Sequence, residues 1–197
     1  MEINDLTLWK SMKDGDHHAL KSMYDAHISN LINYAKKFTS DHELIEDAIH
    51  DMFVYLWNKR ATIGDTDCII KYLCVMLRRD IIKRLDKAKK QINIDSEKGE
   101  YEDFTINIED LLILDEDTKD QRLKLSQALS TLSGRQREAI YLKYFEEMDY
   151  EGICDIMNIN YQSVRNLISK GIIELRKAWI TVFFIVNVIL KSYYIHL

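Results

Sequence analysis

Apolar residues recur at steps of three and four along most of the chain, and this spacing predicts helices. The clearest apolar stripe lies between residues 160 and 179. It consists of Val164, Leu167, Ile168, Ile172 and Leu175. Asn160 is placed to cap the start of this helix, and a shorter predicted helix, Tyr150 to Met157, precedes it. Two helices joined by three residues indicate a helix-turn-helix.

The residues at the key positions of this motif support the interpretation. Cys154 is the small residue midway along the first helix, and Val164 is the apolar residue inside the second. Asn158 lies in the turn, where a left-handed backbone is needed, and asparagine tolerates that conformation better than most residues other than glycine. The alternative is an ordinary helical hairpin whose polar face is only solvated.

The polar face of the second helix carries amides, hydroxyls and cations. These groups suit base edges and phosphates in a major groove. The candidate DNA-contacting residues are Asn160, Tyr161, Gln162, Arg165, Asn166, Ser169 and Lys170. In a helix-turn-helix the second helix is the one that enters the groove, so this face is the first candidate for a function.

Three further helices are predicted in the N-terminal half. The first runs from Asp16 to Phe38, with Asp16 as its cap, and the second from about Asp41 to Trp57. Glycine and small polar residues predict a loop over residues 60–67, and the third helix starts at Ile69. With no proline, six glycines and 47% hydrophobic residues, the chain is predicted to be a folded, all-α protein.

Charge is distributed unevenly along the chain. The formal net charge is −5, which by itself argues against a nucleic-acid partner. Residues 71–90, however, hold eight basic residues, whereas residues 95–120 hold eleven acidic ones. The basic residues are Lys71, Arg78, Arg79, Lys83, Arg84, Lys87, Lys89 and Lys90. Local charge therefore predicts a basic helix followed by an acidic connector. Its apolar anchor points are Phe104, Ile106, Ile108, Leu111, Leu112, Ile113 and Leu114.

Cysteine and histidine give no indication of a metal or a cofactor. The three cysteines form no CxxC and lie among apolar neighbours, as expected for core residues in a reducing cytosol. The histidines lack a repeated ligand spacing. The N-terminal 16 residues lack the apolar segment of a signal peptide, so a cytoplasmic protein is expected.

Two polar surfaces in the N-terminal half leave alternatives open. One face of the second helix carries Asp47, His50, Asp51 and Asn58, and such a face either binds a partner or is only solvated. The basic helix, with Tyr72 near its start, suits a melted nucleic-acid strand, with phosphates on the cations and bases on the ring. A solvated cationic helix is the alternative there.

Four stretches resemble bacterial sigma factors of the extracytoplasmic-function group. Asp47 to Trp57 resembles the D-x-x-Q-[DE]-x-F-x-x-L-W pattern, with His50 in place of glutamine. Tyr72 to Arg79 resembles W-L-x-x-I-A-R-N, with Arg79 in place of asparagine. Leu132 to Glu138 resembles L-P-x-x-x-R-E without the proline, and Tyr161 to Ile168 is close to versions found in Bacteroidetes. The resemblance runs from about Asp16 to Trp179.

The resemblance implies a transcription initiation factor and not an enzyme. It implies two small helical domains: residues 1–90 similar to sigma region 2, and residues 120–179 similar to the helix-turn-helix of region 4. Residues 91–119 would be the acidic linker, and residues 180–197 an apolar extension. The competing class is a helix-turn-helix response regulator or repressor. The lack of an alternating strand and helix pattern in the N-terminal part argues against it.

The resemblance also implies roles for individual residues. Asp47, His50, Asp51 and Asn58 would dock core RNA polymerase, and the seven candidates between Asn160 and Lys170 would read the −35 duplex. The melted −10 strand would be held by Asp65, Thr66, Tyr72, Arg78, Arg79 and Lys83. The implied partners are core polymerase, promoter DNA and an anti-sigma factor, which in this family is often anchored in the inner membrane. No small-molecule substrate is implied.

An apolar run near the C-terminus is not explained by the family pattern. Thirteen residues, Ala178 to Leu190, form it, which falls short of the roughly 20 residues that span a bilayer. An apolar run of this length is expected to be buried. We expect it to pack against the chain's own helices.

Overall fold

The computed structural model describes residues 5–91, 104–106 and 126–177. These residues form helices and no strand, which confirms the all-α prediction. The helices are α1 (Asp5–Lys13), α2 (His17–Ala35), α3 (His42–Lys59), α4 (Ile69–Gln91), α5 (126–130), α6 (Gly134–Tyr144), α7 (Tyr150–Met157) and α8 (161–177). Most of the predicted acidic linker and the apolar run after residue 177 lie outside the described residues.

The chain divides into two compact units, the first built on α1–α4 and the second mainly on α5–α8. In the first unit, Asp16 caps α2 by accepting a hydrogen bond from the His18 amide at 2.8 Å. Asp41 caps α3 by accepting one from the Leu44 amide at 3.0 Å. Both helices therefore begin where the sequence predicts, because a side-chain oxygen satisfies an amide that has no partner within the helix.

The core of the first unit includes a helix that the sequence analysis did not predict. α1 is nine residues long and buries Trp9 and Met12 completely. Those side chains join the predicted apolar residues of α2, α3 and α4. The largest of these that are fully buried are Met23, Leu31, Tyr34, Ile45, Ile49, Leu56, Leu73 and Leu77. A helix of nine residues is too short to show a sustained period, so its existence depends on this packing.

One basic residue of α4 does not face outward as predicted. Arg78 is only 6% exposed, whereas Arg79 and Lys83 are exposed. Arg78 follows the fully buried Leu77, and the apolar stripe of α4 is wide enough to include that position. The surface of α4 therefore presents fewer cations than the eight basic residues of the sequence predict.

The second unit is organised around α6. Ser133 and Gln136 form a capping box at its start, where the Gln136 amide donates to the Ser133 hydroxyl and the Ser133 amide donates to the Gln136 side chain. Arg137 Nε donates to the Phe104 carbonyl, and the Phe104 ring lies 5.8 Å from the Tyr141 ring. Phe104 and Ile106 are buried, so these two anchor points of the acidic connector belong to the second unit.

A glycine sets the distance between α8 and α6. A Cβ atom added at Gly171 would lie 2.7 Å from Ile140 Cδ1. A side chain at this position would therefore require Ile140 Cδ1 or one of the two helices to move. Gly171 therefore fixes the position of α8, the predicted DNA-reading helix, on its support. Within the part of the chain that the structure covers, no helix is long and apolar enough to cross a membrane.

Candidate nucleic-acid interface

The turn between α7 and α8 has the predicted geometry. Asn158 has a φ of 53°, in the left-handed region. The Ile159 amide donates to the Cys154 carbonyl at 3.1 Å, which closes the end of α7. The Asn160 side chain accepts a hydrogen bond from the Ser163 amide at 2.8 Å. Asn158 therefore contributes through its left-handed backbone, and Asn160 contributes through its side chain as a helix cap.

The predicted apolar face of α8 is turned inward. Val164 and Ile168 are buried, and Leu167, Ile172 and Leu175 are half-buried. At the start of α7, Asp149 accepts a hydrogen bond from the Gly152 amide at 2.6 Å. Each helix of the motif therefore has its own cap and its own buried side chains, and Asn160 is the one residue of the polar face whose side chain helps to hold α8.

The polar face of α8, here called the recognition face, comprises the seven predicted residues. All seven are exposed: Asn160, Tyr161, Gln162, Arg165, Asn166, Ser169 and Lys170. Gln162 Nε2 donates to Asn166 Oδ1 at 3.1 Å, so these two amides are aligned along one side of the helix. Such a row of amides and a guanidinium can form paired hydrogen bonds with purine edges.

Two residues beside the recognition face were missed by the sequence analysis. The Tyr150 ring lies 5.4 Å from the Tyr161 ring, and the Lys143 ammonium lies 5.2 Å from the Tyr150 ring. Lys143 also donates to the Met148 carbonyl at 3.1 Å. The lysine and two tyrosines form a connected group at the N-terminal end of α8. No spacing rule links residues from α6, α7 and α8, so only the tertiary structure identifies this group.

The predicted −10 residues divide into exposed and buried ones. Asp65, Arg79 and Lys83 are exposed, and Tyr72 is half-buried. Thr66 is only 9% exposed, and its hydroxyl donates to the Cys68 carbonyl at 3.0 Å and accepts from the Cys68 amide at 3.2 Å. The Thr66 hydroxyl is therefore used by the turn before α4, which makes Thr66 poorly suited to the predicted contact with the −10 strand. Arg78, which is buried, is likewise unsuited to hold a phosphate.

A groove of about 590 Å³ opens between α3 and α4. It brings three predicted −10 residues, Tyr72, Arg79 and Lys83, together with Tyr55 and Asp51 of α3. The Tyr72 ring packs 4.7 Å from the Trp9 ring, and partial burial raises the pKa of Tyr72 above its usual value. The groove therefore combines aromatic surface with cations, the combination that binds single-stranded nucleic acid.

The exposed face of α3, here called the α3 surface, contains more than the predicted polar residues. Asp47, His50, Asp51 and Asn58 are all exposed, as expected. Val54 and Tyr55 lie between them and are 43% and 51% exposed. The spacing 47, 50, 51, 54, 55, 58 places the six on one side of the helix. The sequence does not predict the two apolar members, because the motif leaves residues 54 and 55 unspecified.

Asp51 has a partner within the chain. Arg84 Nη2 of α4 lies 2.7 Å from Asp51 Oδ2, and Arg84 Nε lies 2.6 Å from Asp80. These carboxylates raise the pKa of Arg84, with the hydrogen bond to Asp51 as the main cause. Asp51 thus joins α3 to α4 as well as facing solvent. Among the described residues there is no cluster of histidine, cysteine or carboxylate side chains suited to a metal ion.

Two family models match the chain. Residues 23–91 match Sigma-70 region 2, and residues 122–175 match Sigma-70, region 4. The two matches together cover more than half of the chain. Region 2 contains the α3 surface and the groove, and region 4 contains the recognition face.

The chain also resembles curated and solved sigma factors. The ECF RNA polymerase sigma factor SigK of Mycolicibacterium vanbaalenii is 20% identical over 86% of each chain. SigL of Mycobacterium tuberculosis is 24% identical over 80% of this chain and 86% of the relative.

Two solved structures are similar in fold. CnrH, in complex with the cytosolic domain of CnrY, has a TM-score of 0.60 at 14% identity and covers 91% of this chain and 99% of its own. RpoE from Bartonella quintana, in complex with the anti-sigma factor NepR, has a TM-score of 0.56 at 20% identity, covering 81% and 95%. The chain therefore belongs to the sigma-70 family and is a sigma factor of the extracytoplasmic-function type.

Proposed function

We propose that the two units divide promoter recognition between them, with the second unit reading the −35 duplex and the first holding the melted −10 strand. The observation that carries this proposal is the recognition face. Seven polar side chains are exposed on a helix whose apolar residues are turned inward, and of the seven only Asn160 is used as a helix cap. A helix held in this way can enter a major groove without being dislodged from its own unit.

For the −35 element, the contacts differ in what they provide. Gln162, Arg165 and Asn166 carry the bidentate groups that distinguish bases. Ser169 and Lys170 suit phosphates, which fix the register without reading the sequence. Tyr161, with Tyr150 behind it, presents an apolar ring at the end of the helix that first meets the groove. The likeness of residues 161–168 to Bacteroidetes sequences remains a prediction.

For the −10 element, we propose that the groove between α3 and α4 and the adjoining loop receive the unpaired strand. Arg79 and Lys83 would neutralise phosphates, and Tyr72 would stack on a base. Asp65 is exposed in the loop and can accept a hydrogen bond from a base edge. Thr66 and Arg78 have no part in this proposal, because both are buried.

For core RNA polymerase, we propose that the α3 surface is the docking site. It combines exposed apolar area, at Val54 and Tyr55, with the polar side chains of Asp47, His50 and Asn58. An apolar centre with a polar rim is the usual composition of a protein interface. The exposed aromatic residue is of the type that dominates binding energy at such interfaces.

An anti-sigma factor is the third proposed partner. Support comes from the RpoE structure, whose partner is described as an anti-sigma factor, and from CnrH, whose partner is represented by its cytosolic domain. We propose that such a protein covers the α3 surface and is anchored in a membrane. It would then compete directly with polymerase for the same residues.

The test is transcription from a promoter library by core polymerase with and without the full chain. Initiation that requires the chain, from promoters sharing a −35 and a −10 element, is expected. A helix-turn-helix regulator, the alternative, would bind duplex DNA without polymerase and would not comigrate with the core enzyme. Binding of that kind, with no polymerase complex, would overturn the proposal. No cofactor or catalytic step enters this function.

A further inference from the structure

α1 lies outside residues 23–91, which match region 2, yet it bonds to the segment that the proposed function assigns to the −10 strand. Three of its side chains reach the α3–α4 loop, residues 60–68, or the start of α4. We propose that α1 is a brace that positions this loop for the melted strand, and that Asp5, Trp9 and Lys13 are its positioning residues. This proposal rests on the proposed −10 role of the loop.

Asp5 holds the start of α4. Its Oδ2 accepts a hydrogen bond from the Ile69 amide at 2.8 Å, across 64 residues of sequence. The first amides of a helix have no partner inside it, and a carboxylate there also interacts favourably with the helix dipole. The cap of α4 is therefore supplied partly by α1, so a change in α1 is transmitted to the helix that carries Tyr72 and Arg79.

Trp9 holds the middle of the loop. Its indole Nε1 donates to the Gly64 carbonyl at 3.1 Å, and the side chain is fully buried. A Cβ atom at Gly64 would meet nothing within 4 Å, so packing does not fix the loop at this residue. The indole also lies 4.7 Å from the Tyr72 ring between ring centres. One side chain therefore positions both the loop and the aromatic ring of the groove.

Lys13 binds Asp65, the loop residue after Gly64, and balances its charge. Its Nζ lies 2.6 Å from Asp65 Oδ1, and this hydrogen bond is the main cause that lowers the pKa of Asp65. The Asp65 side chain is 66% exposed, in a loop that must approach phosphates. An unbalanced carboxylate there would repel the strand. Lys13 therefore offsets the negative charge of Asp65 in the loop.

The ends of the loop also have hydrogen bonds that do not involve α1. The Thr62 and Ile63 amides donate to the Lys59 carbonyl, and Thr66 bonds to Cys68. Among the described residues, the Gly64 carbonyl and the Asp65 carboxylate bond to α1 instead. The loss of α1 contacts is thus expected to loosen the tip of the loop while its ends stay in place.

The test uses the full chain assembled with core polymerase. The brace variants are Asp5→Ala, Trp9→Phe, which keeps a ring but lacks the N–H donor, and Lys13→Met. Matched controls on the same helix are Thr7→Ala, which is exposed, and Met12→Leu, which is buried. Binding of a fluorescent single strand carrying the −10 element is measured by anisotropy, and hydrogen exchange is followed over residues 61–68.

Each brace variant is expected to weaken binding of the single strand by about two- to tenfold, the loss that corresponds to one hydrogen bond. Exchange at residues 61–68 should rise. The affinities of the brace variants for polymerase and for a −35 duplex should be unchanged. Both control variants should bind the single strand like the wild type. Asp5→Asn, which keeps a side-chain oxygen as acceptor, should retain the binding that Asp5→Ala loses. A general loss of folding would instead change all three affinities together.

Two results distinguish a failure of the proposed role of α1 from a failure of the proposed −10 function. If the brace variants bind the strand like the wild type while Arg79→Ala and Lys83→Ala bind it weakly, the groove is used and the brace is wrong. If Arg79→Ala and Lys83→Ala also bind normally, the first unit does not hold the −10 strand, and both proposals fail.

Discussion

Gly171 provides the most direct test of how the recognition face is positioned. In Gly171→Ala, the new methyl group would lie 2.7 Å from Ile140 Cδ1, well inside van der Waals contact. Ile140 is only 5% exposed, so its side chain has little room to turn away. Overpacking of this kind costs about 1–3 kcal/mol. Replacing a mid-helix glycine by alanine returns about 1 kcal/mol through helix propensity.

The net expectation is that Gly171→Ala lowers the free energy of unfolding by up to about 2 kcal/mol. In an Ile140→Val background the obstructing Cδ1 is absent, and the next atoms are at 3.7 Å, an ordinary contact distance. There the same change should stabilise by up to about 1 kcal/mol. The sign of the substitution should therefore reverse between the two backgrounds, which is a coupling that a double-mutant cycle measures.

The double-mutant cycle is measured by urea unfolding of the wild type, the two single variants and the double variant. Affinity for the −35 duplex should fall only in the single variant Gly171→Ala, because there α8 must move away from α6. Gly64→Ala is the matched control, since its Cβ meets nothing within 4 Å and its φ is not positive. That change should be neutral or stabilise by about 0.4–1 kcal/mol. A stabilising effect of Gly171→Ala in the Ile140 protein would refute this prediction, because it would mean that Ile140 Cδ1 moves aside at little cost.

Three further predictions concern the recognition face, the α3 surface and pH. Arg165→Ala and Gln162→Ala should each weaken −35 discrimination by about 1–3 kcal/mol, with polymerase affinity unchanged; gel shifts on matched and mismatched duplexes would contradict this if both variants kept full selectivity. Charge reversal at Asp47 should weaken polymerase binding with no change in stability, whereas reversal at Asp51 should also lower stability, by about 0.2–1 kcal/mol for the lost ion pair with Arg84; equal unfolding midpoints for the two variants would count against that distinction. Burial, opposed in part by Asp5, lowers the pKa of His27, so the folded state resists protonation of this residue. The contribution of His27 to stability should be complete above about pH 6.5 and should decline as the pH falls toward the folded pKa. In denaturant titrations at pH 7.5 and 5.5, His27→Gln should reduce the change of unfolding free energy with pH, and an unaltered pH dependence would assign it to other groups.

The recognition face was predictable because its determinants are local. Asn158 must adopt a left-handed backbone and Asn160 must cap the next helix, and both demands act within a few residues of sequence. The apolar stripe that includes Val164 and Ile168 has a period that only a helix satisfies. Each of these signals is set by neighbours along the chain, so the sequence predicted the whole exposed set on α8.

The first unit was predicted less completely because its determinants are distant in sequence. Nothing near Asp5 indicates that it caps a helix 64 residues away. Trp9 bonds to a carbonyl 55 residues away, and Asp51 pairs with Arg84, 33 residues away. Local pattern can show that such residues are polar or aromatic. Their partners are fixed only when the helices pack.

The burial of Thr66 follows from a requirement of the helix start, whereas Arg78 is buried because the apolar stripe of α4 is wide. The loop leads directly into α4, and the backbone groups at a helix start must be satisfied before polar side chains nearby are available to a ligand. Thr66 meets part of that requirement, as Asp5 does from α1. The side chains that remain accessible lie further along α4, at Arg79 and Lys83, and in the groove beside Tyr55. The two cations that we propose for the strand therefore lie more than two turns into α4, whereas Tyr72 lies in its first turn.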